Sequence, residues 1–240
     1  RVIVSLGNKV LQMYYHYGVI LGGGVCVPLP MNLNDKRLSY HQEDTESILT
    51  IKPSGIYDNQ GTKISDLKDY ESCDKKIFPQ PLDQLASIMY TTGSTKYPKG
   101  VMLSQQTLIS ALAHILQYLK YDGHERELVL LPISHSFALG HVYSNNIVGG
   151  FVYLEEGMLK IKRVFKALLD YQITGMPSTP TMLELLMSKY KERFLPLAHK
   201  MEYLVVNSAP LPSPLATEII KELPQINLHV YYGLTEASRS

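Results

Sequence analysis

Thr174–Asn207 reads TGMPSTPTMLELLMSKYKERFLPLAHKMEYLVVN. Thr174 to Pro177 predicts a short strand. Leu183, Leu186, Met187 and Tyr190 recur at three- and four-residue spacing, which predicts one apolar face of a helix. Glu202 to Asn207 then predicts a second strand with an apolar centre. Strand, helix and strand in this order form a crossover unit between parallel strands.

The same alternation continues on both sides. Toward the C-terminus, Leu215 to Leu223 predicts a helix and Leu228 to Tyr232 a last strand. Toward the N-terminus, Ile161, Val164, Phe165, Leu168 and Leu169 mark a helix face, and Phe151 to Leu154 and Glu127 to Ile133 read as strands. Leu108, Ala111, Leu112, Ile115, Leu116 and Leu119 mark another helix, after a strand at Leu85 to Tyr90. Val2 to Leu6, Val25 to Leu29 and Ser47 to Ile51 are further strands, separated by a helix that ends at Gly22 to Gly24 and a short polar helix from Lys36 to Glu43. The stretch from Lys52 to Gln84 carries Pro, Gly, Asp and Lys throughout and reads as a connection with one short strand at most. These patterns predict an α/β fold with mostly parallel sheets covered by helices. They divide the chain into a first lobe over residues 1–75 and a second over 76–240. In such sheets ligands bind beyond the carboxyl ends of the strands.

Composition narrows the function. The chain has 240 residues, 23 Lys+Arg against 22 Asp+Glu, and a net charge of +1. That balance offers no electrostatic footprint for nucleic acid or an acidic membrane. At 45% hydrophobic and 19% charged residues the sequence is globular. No uninterrupted apolar run is long enough for a transmembrane helix. Cys26 and Cys73 make neither a disulfide framework nor a zinc site, and a reducing, cytoplasmic setting is expected. The sequence opens on Arg1 without a secretory leader and is expected to be a piece of a longer protein.

Two polar clusters follow strands. The first is Thr91-Thr92-Gly93-Ser94-Thr95-Lys96-Tyr97-Pro98-Lys99-Gly100. Its hydroxyls, backbone N–H groups and Lys99 suit a polyphosphate, although the spacing is not that of a Walker A loop. An ordinary polar turn has the same composition. The second is Tyr231-Tyr232-Gly233-Leu234-Thr235-Glu236. An aromatic, a Gly and a Thr-Glu pair can stack a base, turn sharply and hold a metal–phosphate, and a plain strand end followed by a Gly turn would look alike.

Together and in this order, the clusters resemble two core motifs of the adenylate-forming (AMP-binding) superfamily, in its acyl-CoA synthetase branch. The first looks like the family's phosphate loop, followed here by Val101-Met102-Leu103-Ser104, and the second like its Y-G-x-T-E motif. Four more stretches are similar to family segments: Gly18 to Pro30, Leu131 to Phe137, Thr174 to Leu183, and Asn207 to Leu211. The resemblance spans nearly the whole chain.

It implies ATP and Mg²⁺ as cofactors, a carboxylic acid as substrate, and the thiol of CoA or of a carrier-protein phosphopantetheine as acceptor. By position, Thr91, Thr92, Gly93, Ser94, Thr95 and Lys99 would hold the phosphates. Ser208, Ala209 and Pro210 would line the adenine, beside Tyr231, Tyr232 and Gly233, with Tyr232 stacked on it. Thr235 would bind the α-phosphate and Glu236 the metal. His135 would stand by the reacting carboxylate. No Asp lies between Leu131 and Gly140 to hold a substrate amino group, so a non-amino acid, such as a fatty acid, is expected. An amino-acid adenylation domain and a non-catalytic nucleotide-binding protein on the same fold are the alternatives. His114, His124 and His141 show no partner pattern and read as surface or packing residues.

The sequence departs from the family in two places. Lys96 stands where the family has Gly; it costs about 1 kcal/mol if the position needs positive φ, or it adds a phosphate contact. The sequence given stops at Ser240, before the family's ribose-binding motif and C-terminal domain. The resemblance therefore covers a partial N-terminal domain, expected to be weakly active by itself.

Overall fold

The computed structural model describes residues 1–67, 80–91 and 97–236. The chain forms two compact units, Arg1–Ala111 with Ile133–Ser136, and Leu112–Pro132 with Phe137–Ser240.

The first unit contains β1 (Val2–Val4), α1 (Val10–Leu21), β2 (Cys26–Pro28), α2 (Asp35–Thr45), β3 (Leu49–Lys52), β4 (Gly55–Asp58), β5 (Lys63–Ser65), β6 (Leu85–Thr91) and β7 (Lys99–Ser104), and α3 (Gln105–Leu119) starts within it. Its sheet has the order β5-β4-β3-β1-β2-β6-β7. The inner strands run parallel, while β4, β5 and β7 are antiparallel to their neighbours. Strand β1 shows why both faces must be covered. Val2 and Val4 pack with Ile20, Cys26 and Ile51, and Ile3, facing the other way, packs with Val27, Leu29 and Ile88. Alternate side chains of one strand thus feed two cores.

The expected boundary at residue 75 is not where the units part. Strand β6 hydrogen-bonds in parallel to β2, and β7 folds back onto β6 from Leu85↔Ser104 to Thr91↔Lys99. The run from Ala86 to Tyr90 is buried in the first unit's cores, Ala86 with Val2, Val4 and Ile20, and Ile88 and Tyr90 with Ile3, Val27 and Leu29. The segment read as a connection holds a hairpin, β4 and β5. The Asp58 side chain accepts the backbone N–H groups of Gln60 (2.9 Å) and Thr62 (2.7 Å), and Gly61 takes φ +82°. An Asp-led turn closing on Gly is the local cause.

The second unit contains β8 (Arg126–Val129), α4 (Ser136–Val148), β9 (Phe151–Leu154), α5 (Ile161–Asp170), β10 (Gly175–Ser178), α6 (Pro180–Lys189), α7 (Lys191–Ala198), β11 (Tyr203–Val206), α8 (Ser213–Glu222) and β12 (Asn227–Val230). The sheet order is β12-β11-β10-β8-β9, with every pairing parallel. Leu204 and Val206 of β11 face the core of Leu128, Phe165, Met176, Leu183 and Phe194, while Tyr203 and Val205 face Tyr121 and Phe137. Helix α6 starts where Thr179 accepts the Met182 N–H (3.3 Å), with Pro180 as its first residue. Strand β8 is shorter than expected and stops at Val129, although Leu130 and Ile133 beyond it remain buried.

His16 on α1 is almost wholly buried, with its Nδ1 3.1 Å from the Cys26 Sγ. Burial disfavours the charged imidazole and lowers its pKa to about 4. The unfolded chain therefore takes up a proton that the folded chain refuses. Stability contributed by neutral His16 is present above the ordinary His pKa and is lost as pH falls from about 6.5 to 4, at about 1.4 kcal/mol per pH unit. Urea midpoints measured across that window should fall more steeply for the wild-type chain than for His16→Gln. Parallel slopes would sink this assignment.

Candidate functional site

The first polar cluster joins β6 to β7 as a hairpin connection, flanked by the pair Thr91↔Lys99. Thr92, Gly93, Ser94, Thr95 and Lys96 lie outside the described residues. Thr91 ends β6, and Lys99 opens β7 with an exposed side chain. The far side of the connection is clamped to α2. Tyr40 donates its hydroxyl to the Pro98 carbonyl (2.9 Å), and its ring stacks on Tyr97 at 5.1 Å. Beneath them, His41 meets the edge of the Tyr90 ring at 4.1 Å, and the Tyr90 hydroxyl bonds Asp44.

A cavity of about 420 Å³ opens here, with Arg37, Tyr40, Tyr90, Thr91, Tyr97 and His135 among its walls. The fold therefore brings Thr91 and His135, far apart in sequence, onto one cavity. His135 reaches solvent, yet the protein atoms crowded around its ring withdraw enough water to lower its pKa. It is neutral in the physiological range and can accept a proton or a hydrogen bond. Burial lowers His41 as well, partly opposed by Asp44.

The remaining candidates lie in the second unit, at the carboxyl ends of β11 and β12. Val206 and Val230 are register partners there. The Tyr231 N–H donates to the Val206 carbonyl (3.1 Å), and Asn207 Nδ2 donates to the Tyr231 carbonyl (2.9 Å). Asn207 also accepts the Ser208 N–H, which holds Ser208 at φ +79°. One buried amide thus ties the Ser208-Ala209-Pro210 turn to the Tyr231–Glu236 segment. Ser208, Ala209 and Pro210 are exposed, as is Glu236, and Gly233 and Thr235 are half-buried.

The two tyrosines point in opposite directions. Tyr232 is 75% exposed. The Tyr231 ring turns inward, edge-on to Phe137 at 5.8 Å, with its hydroxyl 3.3 Å from His141 Nε2. Just past β12 the Tyr231 N–H still pairs with β11 and its ring faces inward, which leaves Tyr232 as the exposed ring.

Sequence reasoning missed what lies behind Tyr231. Glu127 and His141 are both 0% exposed. His141 Nδ1 lies 2.9 and 3.1 Å from the two Glu127 carboxylate oxygens. Tyr203 (3.0 Å) and Tyr121 donate hydroxyls to Oε1, and Asn145 Nδ2 (2.8 Å) donates to Oε2. Burial, and then the Glu127 charge, pushes both phenols far above the ordinary tyrosine range. A charged residue directly before the apolar run Leu128 to Leu131 was the available signal.

No helix among the described residues is long and apolar enough to cross a membrane, and no cluster of three His, Cys, Asp or Glu among them could hold a metal ion.

The chain is 25% identical over 245 residues to a 2-succinylbenzoate–CoA ligase of Bacillus velezensis, covering 98% of the chain and 48% of the ligase. It is 24% identical over 249 residues to a D-alanine–D-alanyl carrier protein ligase of Bacillus anthracis, covering 98% and 49%. The chain spans about half the length of these ligases. Its fold superposes with TM-score 0.83 on an inhibitor-bound N-terminal domain of FACL13 from Mycobacterium tuberculosis, at 22% identity, covering 99% of this chain and 63% of that one. The AMP-binding enzyme family matches residues 1–239, so the chain belongs to that family.

Proposed function

We propose that this chain is the nucleotide- and acid-binding part of an AMP-forming acid–thiol ligase. It would join a carboxylic acid to ATP as an acyl-adenylate with release of pyrophosphate, for transfer to the thiol of CoA or of a carrier-protein phosphopantetheine. The observation that carries this is the family match over residues 1–239, which includes both polar clusters. The carrier-protein and CoA ligases among its relatives support either acceptor.

The chemistry asks for little beyond placement and charge. A substrate carboxylate oxygen attacks the α-phosphorus while the bond to the pyrophosphate oxygen breaks, and negative charge gathers on all sides. Lys99 and the hydroxyl-rich connection after Thr91 would hold the leaving phosphates. Thr235 would bond the α-phosphate oxygen. Tyr232 would stack on the adenine above Ser208, Ala209 and Pro210. Glu236, exposed in a turn with Thr235, would hold Mg²⁺ with phosphate oxygens, and the ion would neutralise part of the developing charge. Neutral His135 on its cavity wall would orient the acid. A non-amino acid is the better substrate, because no Asp lies between Leu131 and Gly140 to hold a substrate ammonium group.

The test is a calorimetric titration with a non-hydrolysable ATP analogue and Mg²⁺. Lys99→Ala and Glu236→Ala should each weaken binding by about tenfold or more, the loss of one charge-assisted contact. In a protein extended past Ser240, pyrophosphate exchange should depend on Mg²⁺ and on an added carboxylic acid. Absence of both binding and exchange would sink the reading, and exchange supported only by amino acids would favour the adenylation-domain alternative.

A further inference from the structure

The Tyr231–Glu236 segment leaves the sheet with its first side chain anchored at depth. Glu127 sits on β8, His141 on α4, and Tyr231 directly after β12, and hydrogen-bonding distances link all three. The order of donors follows from the carboxylate. Glu127 accepts only, so His141 Nδ1 must carry the proton that faces it. Nε2, on the other side of the ring, meets the Tyr231 hydroxyl at 3.3 Å. The carboxylate also binds Tyr121, Tyr203 and Asn145, which fixes it in place and leaves the imidazole one orientation.

Tyr231 is therefore gripped twice. Its backbone is held by Val206 and Asn207, and its ring is held by His141 and Phe137. That ring is turned inward, and the next residue, Tyr232, is exposed.

We propose that His141, oriented by Glu127, is a positioning residue for the nucleotide face: its bond to the Tyr231 hydroxyl fixes the segment that presents Tyr232 and Thr235. The proposal rests on the nucleotide-binding reading above, in which Tyr232 stacks and Thr235 meets phosphate. It assigns the buried Glu127–His141 pair a role through Tyr231 and no contact with substrate.

The test uses the chain labelled with ¹⁵N, AMP as the probe, and three substitutions. Tyr231→Phe keeps the ring against Phe137 and removes only the hydroxyl. The His141 Nε2 resonance should move, the amide resonances of Tyr232 to Glu236 should shift or broaden, and AMP should bind about five- to tenfold more weakly, the worth of one neutral hydrogen bond. Tyr171→Phe also removes one hydroxyl from the second unit, and should leave these signals and the affinity as in the wild type. His141→Gln, whose terminal amide can still accept from Tyr231, should keep more affinity than His141→Leu.

Unchanged amide resonances in Tyr231→Phe overturn the proposal, as does unchanged AMP affinity in that variant. If the unaltered chain does not bind AMP at millimolar concentration, the nucleotide-binding reading fails. The tether is then judged on the amide resonances alone, with shifts supporting it and their absence overturning it.

Discussion

Glu127→Ala should destabilise the second unit by about 3–5 kcal/mol, the cost of removing one member of a buried charged network. The physical reason is the number of groups left behind. In the native unit, Tyr121, Tyr203, His141 and Asn145 all converge on this one carboxylate, and Glu127 and His141 are entirely out of solvent. Truncation takes the carboxylate acceptor away from a buried imidazole and two buried phenol O–H groups. Each orphaned group costs about 1–3 kcal/mol before relaxation. The excavated side-chain volume adds a cavity term. Glu127→Gln should cost less, since Gln keeps one acceptor oxygen but presents an N–H₂ group to donors already in place. Amide hydrogen exchange in β8, β10 and β11 reads the effect locally, which matters in a chain with two units. Exchange as slow in Glu127→Ala as in the wild type would show that the carboxylate is not the hub of this network.

That hub shows where sequence reading stops. Periodicity found α5 because its apolar stripe faces one core and its other side faces water. The same reasoning did not find α4. From Phe137 to Asn145 the helix is buried all round, so it has no polar face to set a period against. Buried within it are His141, Ser144 and Asn145, which make the segment look like a loop. His141 reads as a surface or packing residue because its partner, Glu127, lies on a strand remote in sequence, and no spacing rule links them. Helix α7 was missed because Pro196 interrupts its pattern. The two polar clusters are legible as candidates, since hydroxyls, glycines and charges gathered at strand ends are local in the chain. That Thr91 shares a cavity wall with His135, and that Asn207 ties two loops together, are long-range facts set by the order of strands in a sheet. Local sequence fixes elements, and pairing decides which of them meet.

Gly175→Ala tests that long-range order from the opposite direction, by adding one carbon. Gly175 opens β10, with Glu127 of β8 and Tyr203 of β11 as register partners on its two sides. A Cβ at Gly175 would lie 1.9 Å from Tyr203 Cζ and 2.4 Å from its hydroxyl oxygen. The Tyr203 ring therefore lies across the glycine, and its hydroxyl reaches over to Glu127 at 3.0 Å. No left-handed backbone conformation is involved, so the requirement for Gly is purely one of space. An added methyl group must push the ring aside, and the ring is packed between Tyr121 and Val205. Displacing it combines overpacking, about 1–3 kcal/mol, with loss of a bond to a buried carboxylate, about 1.5–3 kcal/mol. A total of about 3–5 kcal/mol is expected by urea unfolding followed at the second unit. The diagnostic is the double substitution with Tyr203→Leu. Shortening the ring removes both the clash and the bond, so the methyl group should cost far less in that background. A coupling of about 2 kcal/mol or more is expected, because the two residues touch. If instead Gly175→Ala costs the same in both backgrounds, the demand for glycine comes from the β10 backbone, and the ring that bridges Gly175 to Glu127 is not what enforces it.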